Sequence, residues 1–214
     1  YVKQGDDFNN ITPIRKTSTN SITFAATNGS STVVVTDSSH AAVVGDTVTF
    51  TQAVSLGGVI TADVLNQAYI VNQVLTANTY NIIAKNTSGV TVTANSSDTG
   101  NGGSGVDGSY EINIGLDIFV KGTGWGAGLW GAGTWGSVSP IADSSQLRLW
   151  SQDNFGDDLI ANIRGGGIYY WDESSGATQR AIPFTSLTNA SNPPILALQI
   201  MVSDIDRHII CFGA

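Results

Sequence analysis

Between Ser21 and Ala94 the apolar residues fall on every second position: Ile22/Phe24, Val33/Val35, Val48/Phe50, Tyr69/Val71, Tyr80/Ile82 and Val90/Val92. Period two with β-branched and aromatic residues predicts half-buried antiparallel strands. The breaks between them, Thr27–Ser30, Gly45-Asp46, Gly57-Gly58, Asn78-Thr79 and Ser88-Gly89, carry residues that tolerate turn dihedrals. Strands this short and this closely spaced predict a small β-barrel or sandwich able to fold alone. Asn95–Gly108 then lacks large apolar side chains until Val106 and reads as a Gly/Ser-rich linker or long loop.

Outside that region the pattern changes from alternation to short aromatic strands between polar turns. Tyr1–Ile14 predicts a strand, an acidic turn and a second strand, and Tyr169–Phe184 repeats the plan, both closing on Ile or Ile-Pro. Strand candidates at Tyr110–Ile114, Ile118–Val120, Gln146–Ser151, Asp158–Ile163, Gly167–Trp171 and Gln179–Phe184 follow, the last four joined by short turns as in one propeller blade. Ile195–Ser203 and His208–Phe212 begin another unit. The predicted fold is all-β: propeller-like antiparallel blade units with an inserted small β-barrel domain. Residues 1–16 form the end of a preceding blade-like unit, 17–108 the inserted barrel or sandwich with its linker, and 109–214 a Trp/Gly strap and blade-like units.

The strap is Gly122–Gly136, where Trp125, Trp130 and Trp135 recur every fifth residue between glycines. Neither helix nor strand has that period, and glycine disfavours both, so the stretch predicts an extended or turning path that presses aromatic rings against a neighbouring surface. With Trp150 and Trp171 these residues are the candidate packing or interface set. Gly126–Gly131 and Gly131–Gly136 match G-x-G-x-x-G, but the dinucleotide fingerprint needs a helix opening at the glycines, and Ser137–Pro140 opens none.

Charged residues make up only 12% of the chain and the net charge is −8. That excludes the clustered Lys and Arg of a nucleic-acid footprint and suits a surface past which DNA slides without sticking. Cys211 stands alone and can close no internal disulfide; it reads as a small buried hydrophobe. No apolar run approaches the roughly 20 residues of a membrane-spanning helix. His40 and His208 are the only histidines and read as structural, His40 in a turn and His208 in a strand. Carboxylates cluster at Asp153, Asp157 and Asp158, at Asp172 and Glu173, and at Asp204 and Asp206. Paired carboxylates can hydrolyse a glycoside; in turns, however, Asp commonly accepts hydrogen bonds from its own backbone. The Asp98–Asp107 loop offers oxygens to Ca²⁺ without EF-hand spacing, so no catalytic residue, cofactor or metal site is assigned.

Trp125–Gly136, Leu147–Ile160 and Gly165–Asp172, with Asp7–Arg15 and Val202–Gly213, resemble a virion structural protein of tailed bacteriophages of the kind common in marine phages. Those proteins are distantly similar to the tail nozzle, or packaged-DNA stabilisation, proteins of short-tailed phages. His40–Phe50, Leu65–Val71 and Asn78–Tyr80 are similar to small β-barrels of phage virion proteins, often likened to the first catalytic-cysteine half-domain of ubiquitin-activating enzymes. That likeness concerns fold only, since the segment has no cysteine. The resemblance implies a non-enzymatic virion protein of the phage tail, a homo-oligomeric ring contacting other tail proteins, which retains packaged DNA and lets it pass on ejection. It also implies that this chain is an internal portion of a longer protein. The alternative is a glycan-binding or glycan-cleaving tail component using the Trp platform and the turn carboxylates.

Overall fold

The computed structural model describes residues 1–114, 148–203 and 205–214. Strands β1 (Val2–Gln4) and β2 (Asp7–Asn9) form a hairpin, followed by β3 (Ile14–Ser18), β4 (Thr23–Ala26), β5 (Thr32–Thr36) and β6 (Thr47–Thr51). A one-turn helix, α1 (Ala62–Leu65), precedes β7 (Ala68–Ile70), β8 (Gln73–Thr76), β9 (Thr79–Ile83), β10 (Asp98–Asn101) and β11 (Asp107–Glu111). After the strap come β12 (Trp150–Phe155), β13 (Asp158–Ile163), β14 (Ile168–Trp171), β15 (Ile182–Pro183), β16 (Gln199–Val202) and β17 (Ile209–Phe212). The chain is nearly all β, and among the described residues every strand pair is antiparallel, as the alternation predicts.

Residues of β3–β11 form two sheets, one ordered β10-β4-β5-β9-β8 and the other β3-β11-β6-β7. Each turns its apolar positions inward, so Phe24, Val33, Val35, Tyr80 and Ile82 of the first meet Val48, Phe50, Tyr69 and Tyr110 of the second in one core. Phe24 and Phe50 join the sheets edge to face, with ring centroids 4.9 Å apart. The barrel-or-sandwich expectation therefore resolves as a two-sheet sandwich. Val90 and Val92 depart from the pattern: Val90 is exposed, and this stretch makes only a bridge between Lys85 and Thr91.

Asn95–Gly108, expected as a linker, instead carries β10 and the start of β11. Its scarcity of apolar side chains hides strands because the partners supply the bulk. A Cβ on Gly108 would lie 2.3 Å from Ile22 Cδ1, and one on Gly102 would lie 2.6 Å from Phe24 Cδ2. Gly108→Ala is expected to cost about 1–3 kcal/mol by overpacking. Equilibrium denaturation of the variant, compared with Gly108→Ala combined with Ile22→Val, checks the steric cause: the smaller Ile22 replacement should recover part of the loss. The sandwich also starts earlier than residue 17, since β11 pairs with β3 on one side and β6 on the other.

β12–β13–β14–β15 is an up-and-down sheet in sequence order, the size expected of a blade. β12 runs to Phe155 rather than ending at Ser151, because Phe155 pairs with Asp158 across a two-residue turn. Gly156 has φ +75° there, the positive first position of a II′ hairpin turn. β15 shrinks to two residues because Asp172 caps a 3₁₀ turn at Glu173–Ser175 and Pro183 gives the edge no N–H.

Period two gives this sheet two faces with different partners. Leu159, Tyr169 and Trp171 point to one side, where Val2 of the β1–β2 hairpin and Ile11 pack with Ala177 and Ala181. Ile160, Ile168 and Tyr170 point to the other, where Ala197, Ile200, Val202, Ile209 and Cys211 close the second core. The β12–β15 sheet thus carries the β16–β17 hairpin on one face and Val2 of the β1–β2 hairpin on the other, a stack in which the sandwich falls between β2 and β12 in chain order.

Candidate functional site

The turn carboxylates of the stack are the candidate catalytic groups, and three of them, Asp153, Asp158 and Asp172, are occupied by structural hydrogen bonds. Asp153 lies on β12 rather than in a turn and accepts from the Val202 N–H at 2.8 Å and the Asn154 N–H at 2.9 Å. With Ser151 Oγ, which accepts from the Ile200 N–H at 3.1 Å, it supplies acceptors to the edge of β16. Asp158 accepts from the Tyr170 hydroxyl and from the Glu173 N–H at 3.0 Å. Asp172 accepts from the Ser174 hydroxyl at 2.7 Å, the Ser175 hydroxyl at 3.0 Å and the Ser174 N–H at 2.9 Å. The serine hydroxyls hold the Asp172 carboxyl below its ordinary range, the mark of a carboxylate used as an acceptor. Asp107, at the end of the loop considered for Ca²⁺, accepts from the Asn20 N–H and the Gln52 amide. Among the described residues no group of three or more His, Cys, Asp or Glu could hold a metal ion.

The tryptophans divide. Trp171 is buried between Ala177 and Ala181, and its Nε1–H donates to the Gln179 carbonyl at 3.1 Å. Trp150 opens β12 with its ring part exposed and Nε1 3.4 Å from the Ile114 carbonyl. Trp125, Trp130 and Trp135 lie outside the described residues, as do Ile118–Val120, both glycine motifs and Asp204. His208 sits in the turn before β17, its carbonyl accepting from the Ser203 N–H, not in a strand. Cys211 faces the blade, and partial burial raises its thiol pKa.

Sequence reasoning missed a buried polar network inside the sandwich. Within the sandwich the Tyr110 hydroxyl donates to Asp37 Oδ2 at 2.7 Å, and Tyr80 reaches the Tyr110 oxygen at 2.9 Å, so Tyr80 is the donor of that pair. Ser18 Oγ and Lys16 Nζ bring two more donors to the same Asp37 oxygen, at 2.8 and 3.2 Å. Arg15 and Lys16 lie over the Tyr110 ring, and Arg15 pairs with buried Asp46 at 3.0 Å. His40 is buried with its ring edge on Tyr80. Its Nδ1 accepts from the Ala42 N–H and its Nε2 meets the Thr76 carbonyl, which fixes the neutral Nε2–H tautomer. The signal available in the sequence was two lone tyrosines at core positions, residues that bury only when the hydroxyl has a partner.

Burial raises the pKa of Tyr69, Tyr80, Tyr110 and Tyr169, and the bond to Asp158 pushes Tyr170 up to about 12. A tyrosine with a raised folded value holds its proton more tightly in the native state. Its contribution is complete below the unfolded value of about 10 and is lost as pH rises through the folded value. Tyrosinate absorbance is therefore expected to lag on alkaline titration and to arrive with loss of the β-sheet circular dichroism signal. Full ionisation of the tyrosines with the sheets still intact would contradict this.

Among the described residues one ion pair ties the sandwich to the stack. Arg180, in the β14–β15 connection, donates to Glu111 at 2.8 Å and to the Thr12 carbonyl at 3.0 Å, while Asn10 donates to the same Glu111 oxygen. Beside it a cleft of about 440 Å³ is lined by Tyr170, Asp172, Ser175, Gln179, Arg180 and Ile182. A second cleft, of about 270 Å³, lies where Arg15 and Ile112 of the sandwich approach Tyr169, Pro183 and Ile195.

No protein-family model and no curated protein matches the chain. Among solved structures it is similar to an endosialidase of phage phi92, over 90% of this chain at 17% sequence identity and a TM-score of 0.36. This chain spans 27% of the length of that protein. Among the described residues no helix is long and apolar enough to cross a membrane.

Proposed function

We propose that this chain is a non-enzymatic structural component of a tailed-phage virion, placed in the tail as a nozzle or tail-tip protein. In that role it self-associates into a ring, contacts other tail proteins, retains packaged DNA and opens for its ejection. The observation that carries the reading is the use made of the carboxylates: Asp153, Asp158 and Asp172 accept hydrogen bonds that hold hairpins and neighbouring sheets together. A glycosidase needs one carboxyl free to give a proton and another free to attack or to activate water. Trp171, likewise, has its ring in a core rather than on a sugar-binding platform. A net charge of −8 supports passage of the duplex without electrostatic capture.

Cryo-EM of the intact particle tests the proposal. The expected result is density for this chain in a closed ring of copies at the distal end of the tail. A particle whose tail lacks the chain, or release of reducing sugar from host glycan by the purified protein, would overturn it.

A further inference from the structure

As an insertion between β2 and β12, the sandwich is joined covalently to the stack through two segments, residues 10–13 on the way out and 112–114 on the way back. Each body closes its own core. Phe24, Phe50 and Tyr80 pack within the sandwich, Ile160, Ile200 and Trp171 within the stack, and among the described residues no buried apolar cluster draws side chains from both. Where the two bodies approach, a cleft of about 270 Å³ separates Arg15 and Ile112 from Tyr169, Pro183 and Ile195. Bodies that share no large apolar interface are free to reorient unless something else fixes them.

The bonds that fix the sandwich are polar, and most of them grip the connecting segments rather than the sandwich itself. The Ala181 N–H donates to the Ile11 carbonyl at 2.9 Å, Arg148 donates to the Asn113 carbonyl, and Trp150 Nε1 lies 3.4 Å from the Ile114 carbonyl. Among the described residues of the stack, Arg180 alone bonds to a side chain of a sandwich strand. Its Nη1 lies 2.8 Å from Glu111 Oε1 at the end of β11 and 3.0 Å from the Thr12 carbonyl. A single nitrogen therefore bridges the outgoing segment, the returning strand and the β14–β15 connection. Asn10 steadies the acceptor by donating to the same Glu111 oxygen at 2.9 Å. Glu111 is 7% exposed, so the pair is sheltered from screening by salt.

We propose that Arg180 is the latch of a hinge. While it ties Glu111 to the β14–β15 connection, the sandwich keeps one orientation on the stack. When it lets go, the sandwich swings about residues 10–13 and 112–114 across the cleft, with both bodies still folded, because the motion uncovers neither core. The latch is a property of the single chain and does not depend on the tail role.

The test is a distance measurement by double electron–electron resonance on the 214-residue chain. Nitroxide labels are placed by Ser88→Cys in the sandwich and Ser191→Cys in the stack, both exposed positions, with Cys211→Ala to leave no other thiol. With Arg180 intact the expected result is one narrow distance distribution. Arg180→Met combined with Glu111→Gln removes the pair without leaving either charge alone, and should widen the distribution roughly twofold or more. Circular dichroism and native-state amide exchange within both bodies should stay unchanged. Arg148→Met, which removes only a bond to connecting backbone, should leave the distribution narrow. Four results overturn the proposal: a double variant as narrow as its parent, a parent as broad as the double variant, equal widening by Arg148→Met, or a double variant that loses its sheet structure, which would make the pair part of the fold rather than a latch upon it.

Discussion

Asp37→Ala is expected to lower the unfolding free energy by about 3–5 kcal/mol, the cost of removing one partner of a buried ionic cluster. The side chain is 2% exposed, and one of its oxygens collects the Tyr110 hydroxyl, the Ser18 hydroxyl and the Lys16 ammonium. Alanine leaves the two hydroxyls with nothing to donate to and the Lys16 ammonium with only the Ser38 and Ser39 carbonyls, and Tyr80 behind them loses the polarised partner that accepts its proton. Asp37→Asn keeps an oxygen in that place but removes the charge, and should cost about half as much. Urea denaturation of both variants reads the two values from midpoints at constant slope. If Asp37→Ala shifts the transition by less than about 0.5 kcal/mol, the tyrosine network is not what holds the two sheets in register.

The second large effect is expected at Asn162, in the middle of the stack. Its amide nitrogen lies 2.9–3.2 Å from four carbonyls, those of Ile163, Gly166, Gly167 and Ala197, and its oxygen accepts from Ser151. Two N–H groups shared among four acceptors knit the β13–β14 turn to the segment that leads into β16. Asn162→Ala removes the second donor from carbonyls that each keep one backbone N–H and leaves the Ser151 hydroxyl without its acceptor in a site with no solvent access; it should cost about 2–3 kcal/mol. Part of the loss should be local: hydrogen exchange should accelerate at the Ile200 and Val202 amides, which dock on Ser151 and Asp153, while the sandwich amides are unaffected. Uniform acceleration across both regions would mean that the two are one cooperative unit and that Asn162 does not fasten the hairpin specifically.

What the sequence made legible follows from where the information sits. Alternation at Ile22/Phe24, Val33/Val35, Val48/Phe50 and Tyr80/Ile82 marks strands whose apolar half is their own, and all of these side chains are buried. β10 escaped notice because Asp98–Asn101 contains no large apolar residue, and β11 was recognised only from Tyr110 onward because Gly108 leaves its space to Ile22 of another segment. The extent of β12 was misjudged for the opposite reason. Asp153 and Asn154 resemble turn formers, but strand pairing with Leu159 and Ile160 and an acceptor role toward β16 outweigh their propensity. Of the candidate site, the cap role of Asp172 was readable from residue type; the role of Asp158 was not, because it stands on β13 and accepts from Tyr170 and Glu173 across the sheet edge. The Asp37–Tyr110–Tyr80 chain was not, because it joins residues 37, 80 and 110 that only the folded sandwich brings together.

The way the sandwich is spliced into the stack determines how tension would run through the chain. The polypeptide leaves at Pro13 and returns at Ile112, whose N–H donates to the Pro13 carbonyl at 2.9 Å, and β3 and β11 run antiparallel from that point. A pull applied along the backbone therefore meets the Ile112–Pro13 and Asn10–Glu111 bonds at the neck and then opens the sandwich by unzipping β3 from β11 one bond at a time. While that neck and the Arg180–Glu111 pair hold, load passes from one stacked sheet to the next and the sandwich hangs slack, free to vary in shape and sequence without weakening the assembly that bears the strain.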